Sequence, residues 1–331
     1  MIWSIEKAVE WYRKKGWVFG FNYVPSSAVN STEMWQAETY DAECINRELG
    51  IAAETGYNSC RVFLQFLVWE AERDGFLNTF ERFLTTANKH GISVMPILFD
   101  DCAFSNQEPY LGPQQAPVPG VHNSGWTASP GFTIADDSAY FEALEAYVKT
   151  LVKTFGADER ILMWDMYNEP GNSGRGNKCL PLLHYAFKWA RECAPLQPLT
   201  TGVFEWKNND WDLACLALSD IISYHDYEPM EVSQKRVEAL IKHDRPIFCT
   251  EWLLRQNNNT IESHLPFYKA NNISAYNWGL VEGKTQTYLS WKKEDNPKQG
   301  LPKTWQHDLF HKDLTPYDPD EISLIRQIAK K

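Results

Sequence analysis

Residues 161–170 read Ile-Leu-Met-Trp-Asp-Met-Tyr-Asn-Glu-Pro, a mostly apolar run that delivers Asn168 and Glu169 onto a proline. A strand buried on both faces reads as a near-continuous apolar run, and a proline cannot donate to a sheet ladder. Pairing should therefore stop there, leaving Glu169 at a strand's carboxyl end. Residues 246–252, Pro-Ile-Phe-Cys-Thr-Glu-Trp, deliver Glu251 in the same way. Two carboxyl groups at two strand ends can divide the work of proton donor and nucleophile, the pairing that cleaves glycosidic bonds.

The elements that would carry these groups alternate along the chain. An amphipathic helix over 4–15 precedes apolar runs at 17–24, 58–65, 92–99, 161–170, 199–204, 220–227, 246–252 and 273–281. Helical spacing fills the intervals at 41–56, 79–90, 138–155, 178–193, 210–217, 231–243 and 261–271, and a closing helix covers 321–330. Asp41 suits an N-cap, while Gly56 and Gly91 suit helix ends. Eight strands alternating with helices predict an α/β fold: one (β/α)8 barrel over residues 1–331, with an extra N-terminal helix and long loops after the third and eighth strands. The length of 331 residues fits such a barrel. An open doubly wound sheet would instead place a phosphate-binding glycine loop after an early strand, whereas the first run here ends in Asn22-Tyr23-Val24-Pro25. Residues 171–176, Gly-Asn-Ser-Gly-Arg-Gly, have neither phosphate-loop nor dinucleotide spacing. The aperiodic stretch 100–137 contains Trp126 and is expected to be a substrate-facing loop, and 282–318 is likewise irregular.

Barrels of this kind place their active site at the carboxyl ends of the strands. The residues expected there are Asn22, Tyr23, Arg61, Gln65, Asp100, Asp101, Asn168, Glu169, Glu205, Trp206, His225, Asp226, Tyr227, Glu251, Trp252 and Trp278. Asn168-Glu169-Pro170, His225-Asp226-Tyr227, Thr250-Glu251-Trp252 and Trp278 resemble the retaining glycoside hydrolases of clan A, most closely the family 5 or cellulase-like branch, and the order of elements resembles that clan over nearly the whole chain. The resemblance implies that Glu169 is the acid/base and Glu251 the nucleophile. It also implies that Asn168 binds the sugar 2-hydroxyl, that Tyr227 donates to Glu251, and that Arg61 supplies positive charge beside the nucleophile. His225 would contact substrate or the acid/base, and Trp278 would form the platform under the reacting sugar. Asp101, Glu205, Trp206 and Trp126 are candidate substrate contacts by position alone, and Asp165, deeper in its run, reads as a structural buried carboxylate. No cofactor is implied.

Composition disfavours several partners and hints at carbohydrate. A net charge of −11 with scattered Lys and Arg argues against nucleic acid and anionic lipid. The 14 Trp suit stacking on the apolar faces of sugar rings. No apolar run approaches the roughly 20 residues of a membrane span, and residues 1–15 lack the apolar centre and cleavage site of a signal peptide, so a soluble, cytoplasmic chain is expected. Seven Cys without a Cys-x-x-Cys pair favour reduced thiols. The eight His show no metal-ligand spacing, so no metal is expected. Nothing in the sequence fixes an oligomeric state. The expected activity is that of a retaining β-glycosidase, exo-acting or acting on short oligosaccharides. Endo-acting β-glucanase, β-mannanase and xylanase activities remain open, and a non-catalytic carbohydrate-binding barrel is the competing class.

Overall fold

The computed structural model describes residues 1–105, 107–298 and 300–330; Asn106 and Gln299, in the two long loops, lie outside them. Nine parallel strand segments form one sheet: β1 Phe19–Tyr23, β2 Ser59–Phe63, β3 Ser93–Asp100, β4 Trp164–Asn168, β5 Leu199–Thr200, β6 Gly202–Val203, β7 Ile222–His225, β8 Ile247–Trp252 and β9 Ser274–Trp278. Their order is β5-β4-β3-β2-β1-β9-β8-β7-β6. The eight expected staves are present, because β5 and β6 are two halves of one run. Thr201 divides them: its N–H turns to Ser219 Oγ and its hydroxyl to the carbonyl of Tyr167, so it leaves the ladder. The first half pairs with β4 and the second with β7, and the ring closes through that single stave.

The strands hold together because nearly every residue in them is buried, as near-continuous apolar runs require. Packing inside the barrel is tight enough to demand a glycine at position 20. A Cβ there would lie 2.2 Å from the ring of Tyr276, which crosses β1 from β9 and donates through its hydroxyl to Ser59 Oγ, 2.8 Å away. The N-terminal helix Ile5–Lys15, capped by Ser4, closes the opposite mouth from the strand ends; its Ala8 and Tyr12 pack on Met95, Leu162, Ile221 and Phe248.

Most helices fall where the pattern places them. Asp41 accepts from the Cys44 N–H at the start of Ala42–Thr55, and Gly56 ends that helix with φ +113°. The helix Arg73–Lys89 begins six residues earlier than apolar spacing predicts, since its first turn is polar and carries no period. Short helices at Ser31–Trp35, Phe66–Ala71 and Phe132–Asp136 were not expected from the pattern. All seven cysteines are free thiols. Among the described residues no helix is long and apolar enough to cross a membrane.

Candidate active site

Glu169 follows the last residue of β4 with φ +44°, a left-handed conformation costly for a residue with a side chain and therefore held by its surroundings. The turn behind it supplies that hold. Asp101 accepts from the Gly171 N–H at 2.8 Å and from the Tyr167 hydroxyl at 2.6 Å, and it pairs with the Arg175 guanidinium at 2.7 Å. The Glu169 carboxyl shares a 2.7 Å hydrogen bond with His225 Nδ1 and accepts from the Asn172 amide. A register shift between Tyr224 and His225 at the end of β7 re-aims the imidazole, a usual service of bulges beside active sites.

Glu251 lies within a second register shift, between Cys249 and Trp252, that turns its side chain into the barrel while Trp252 packs outward on Tyr268. Its two oxygens are separately held. Oε1 accepts from Arg61 Nη1 and Oε2 from the Tyr227 hydroxyl, each at 2.8 Å. Arg61 is fully buried, and all five of its N–H donors have side-chain acceptors. Nε and Nη2 donate to Asp165 Oδ2 at 2.9 and 2.7 Å, Nη1 also to Asn22 Oδ1 at 2.7 Å, and Nη2 also to Asn168 Oδ1 at 2.7 Å. That last bond fixes the Asn168 amide with its nitrogen forward. One N–H goes to Asp100 Oδ1 at 2.8 Å, which leaves the second for a ligand.

The electrostatics divide the two carboxyls. Burial pushes Glu169 up to about 7, against the opposing pull of the Asn172 bond and Arg61. Burial also raises Glu251, as would a charge on Glu169, but Arg61 and the Tyr227 hydroxyl oppose the rise, so the guanidinium side of the site favours its ionised form. Burial lowers His225 to about 4, so the imidazole is neutral at pH 7. An oxygen of each carboxyl and a ring nitrogen of His225 lie within 4.8 Å of one another. Such a trio could ligate a cation, yet Arg61 places a positive charge 2.8 Å from Glu251.

A pH profile follows from these directions. If Glu169 must carry its proton, kcat/KM on a substrate with a poor leaving group is expected to fall about tenfold per pH unit above pH 7. With Glu169→Gln and an activated aryl leaving group that needs no protonation, that basic limb should vanish. A limb that persists in the variant would assign it to another group.

A cavity of about 370 Å³ opens above this pair. Of the eleven residues given a catalytic or substrate-binding role from the sequence, Glu169, Glu251, Asn168, His225, Tyr227, Trp278, Trp126 and Glu205 line it. Three do not. Arg61 lies beneath the floor with every donor engaged. Asp101 pins the turn after Glu169. Trp206 donates through Nε1 to the His225 carbonyl and packs under Arg236, away from the cavity. Trp126 is buried and donates to Asp100 Oδ2 at 2.8 Å, which places its ring edge-on to Phe63 and Trp278. The lining also includes Phe63, His122, Asn123, Asn172, Arg236 and Trp291, which sequence reasoning did not single out. Asn172 was the most legible of these, three residues after Glu169 in a turn. His122, Asn123 and Trp291 lie in aperiodic loops whose path no periodicity reveals.

A parallel barrel with two glutamates facing each other across a strand-end cavity defines a glycoside hydrolase, and comparison with known proteins agrees. The family description "Cellulase (glycosyl hydrolase family 5)" matches residues 118–283, half of the chain and a span that contains both glutamates. The chain belongs to glycosyl hydrolase family 5. No curated protein matches the sequence. Solved structures share the fold. The exo-β-1,4-mannosidase of Opitutaceae bacterium strain TAV5 superposes with a TM-score of 0.63 at 16% identity, over 95% of this chain and 59% of that longer one. A β-glucosidase designated 1317 gives 0.61 at 13% identity, over 95% and 98% of the two chains. The family 5 mannosidase of Rhizomucor miehei gives 0.58 at 14% identity, over 95% and 92%.

Proposed function

We propose that this enzyme is a retaining, exo-acting β-glycosidase of short β-linked oligosaccharides. In the first step Glu251 attacks the anomeric carbon, the glycosidic C–O bond breaks, and Glu169 gives its proton to the departing oxygen. In the second, the now ionised Glu169 takes a proton from water. That water's oxygen bonds the anomeric carbon and Glu251 leaves, so two inversions restore the β configuration. The remaining Asn168 N–H suits the sugar 2-hydroxyl, and Trp278, stacked on Phe63 at 5.9 Å, suits the face of the ring.

The observation that carries the exo reading is the joining of the two long loops over one side of the cavity. The Asn123 N–H donates to the Thr285 carbonyl at 2.7 Å, and His122 Nδ1 to that of Leu289 at 2.8 Å. Gln286 Nε2 donates to the carbonyls of Val118 and Val121, and Asn296 Nδ2 to that of Gly120. Such a latch blocks a groove at one end, where a polymer would have to pass. The seven free thiols fit a reducing compartment, which suits small substrates. Incubation with aryl β-glycosides and β-linked gluco- and manno-oligosaccharides, followed by NMR, should give single sugars released from the non-reducing end, initially as the β anomer. An initial α anomer would overturn the mechanism, and internal cleavage of polymers would overturn the exo assignment.

A further inference from the structure

We propose that His122 and Asn123 form the recognition wall that reads the hydroxyls at C3 and C4 of the terminal sugar, an assignment that rests on the exo reading above and deepens it. Both residues line the cavity and are almost wholly buried, at 5% and 2% exposure. The fold holds them there at some cost. Asn123 adopts φ +48°, left-handed for a residue with a side chain, and its backbone N–H is tied to the loop after β9. Its side-chain Oδ1 is buried with no hydrogen-bond partner among the described residues. Buried polar atoms are seldom left so, because an unmet acceptor costs free energy, and a hydroxyl entering the cavity would meet it.

The His122 ring has a defined polarity. A carbonyl can only accept, so Nδ1 must carry the proton it gives to Leu289, and in the neutral imidazole Nε2 presents a lone pair. Nε2 makes no hydrogen bond to a described residue. Burial holds the ring neutral, lowering it to about 4, so the acceptor persists at pH 7. The two neighbouring groups thus offer a fixed acceptor and an amide, a combination suited to adjacent hydroxyls of a ring.

Placement follows from strand order and the joined loops. His122 packs at 5.5 Å on His307, which lies 6.5 Å from Trp278, so the wall adjoins the sugar platform. Trp291 bridges His122 and Tyr227 at 6.2 and 5.1 Å and covers the seam. Across the barrel, after β6 and β7, Glu205 and Glu228 line the cavity on the side away from the joined loops. In the exo reading the terminal sugar sits against the joined loops, so the leaving group exits towards Glu205 and Glu228, and the edge remote from the anomeric carbon meets His122 and Asn123.

The test couples enzyme and substrate changes. On a 4-nitrophenyl β-glycoside that the wild type cleaves, the 3-deoxy and 4-deoxy analogues should each lose about 10- to 100-fold in kcat/KM, the scale of one or two hydrogen bonds in a dry site. In His122→Phe or Asn123→Ala, kcat/KM on the parent should fall by a similar factor, and the penalty for the matching deoxy analogue should disappear, with melting temperatures confirming that the variants fold. Deoxy penalties unchanged in both variants would overturn the proposal. If the enzyme proves to cut only within longer chains, the exo reading fails separately. The wall is then judged by binding of a β-1,4-linked trisaccharide to Glu251→Ala, where affinity unaltered by His122→Phe overturns it and a tenfold loss sustains it.

Discussion

Glu251→Ala is expected to lower kcat/KM by about 10⁴-fold or more, the scale on which a catalytic unit fails when its nucleophile is removed. Binding of an oligosaccharide should survive, because Trp278, Trp126 and Tyr227 still line the cavity. The reason lies in the Glu251 surroundings. Arg61 and Tyr227 each hold one oxygen at 2.8 Å, and this preorganised ion has no substitute in a methyl group. The same vacancy provides a sharper readout. A small anion such as azide, entering where the carboxylate stood, should restore turnover of an activated aryl glycoside and leave an α-glycosyl azide, since attack comes from the nucleophile's face. Azide added to Glu169→Ala should instead give the β-azide, because there it intercepts the glycosyl-enzyme from the leaving-group side. Matching azide products from the two variants would remove the division of roles, and full turnover by Glu251→Ala would remove the nucleophile assignment altogether.

The two glutamates were legible because each ends an apolar run, and a strand buried on both faces announces both its identity and its terminus. The same logic placed Tyr227, Asn168 and His225 in the lined cavity. It failed wherever position along a strand was taken for direction of a side chain. Asp101 directly follows β3 and Asn168 ends β4, yet Asp101 points back to the Gly171 turn whereas Asn168 faces the cavity. Trp206 was misplaced for a related reason. With φ +59° the chain turns at that residue and sends its ring to Arg236. The fifth stave was counted correctly, but its division at Thr201 depends on a tertiary partner, Ser219, that no local pattern foretells. The loop residues His122, Asn123 and Trp291 had no period to betray them. His122 and Asn123 are placed by hydrogen bonds to segments more than 160 residues away.

Arg61 was expected beside the nucleophile, and its engagement with four side chains, Glu251 among them, makes its loss the second large effect. Arg61→Met should cost about 3–5 kcal/mol of stability at neutral pH, because it strands buried Asp165 and Glu251 without their counter-charge. The sign with pH is set by Glu251. Burial already raises it above its unfolded value, and loss of the opposing Arg61 charge raises it further, so the deficit should narrow as pH falls towards 4 and widen above it. Activity should fall too, for a separate reason: Nη1 no longer holds Glu251, and Nη2 no longer orients the Asn168 amide. Adding Asp165→Asn separates the two effects, since it removes one stranded charge without supplying either bond. Denaturant melts of the double variant should recover part of the stability, while kcat stays at the level of Arg61→Met. Recovery of kcat together with stability would make Arg61 only a counter-ion to Asp165. Recovery of stability alone leaves it as the group through which the barrel floor positions nucleophile and sugar-binding amide together.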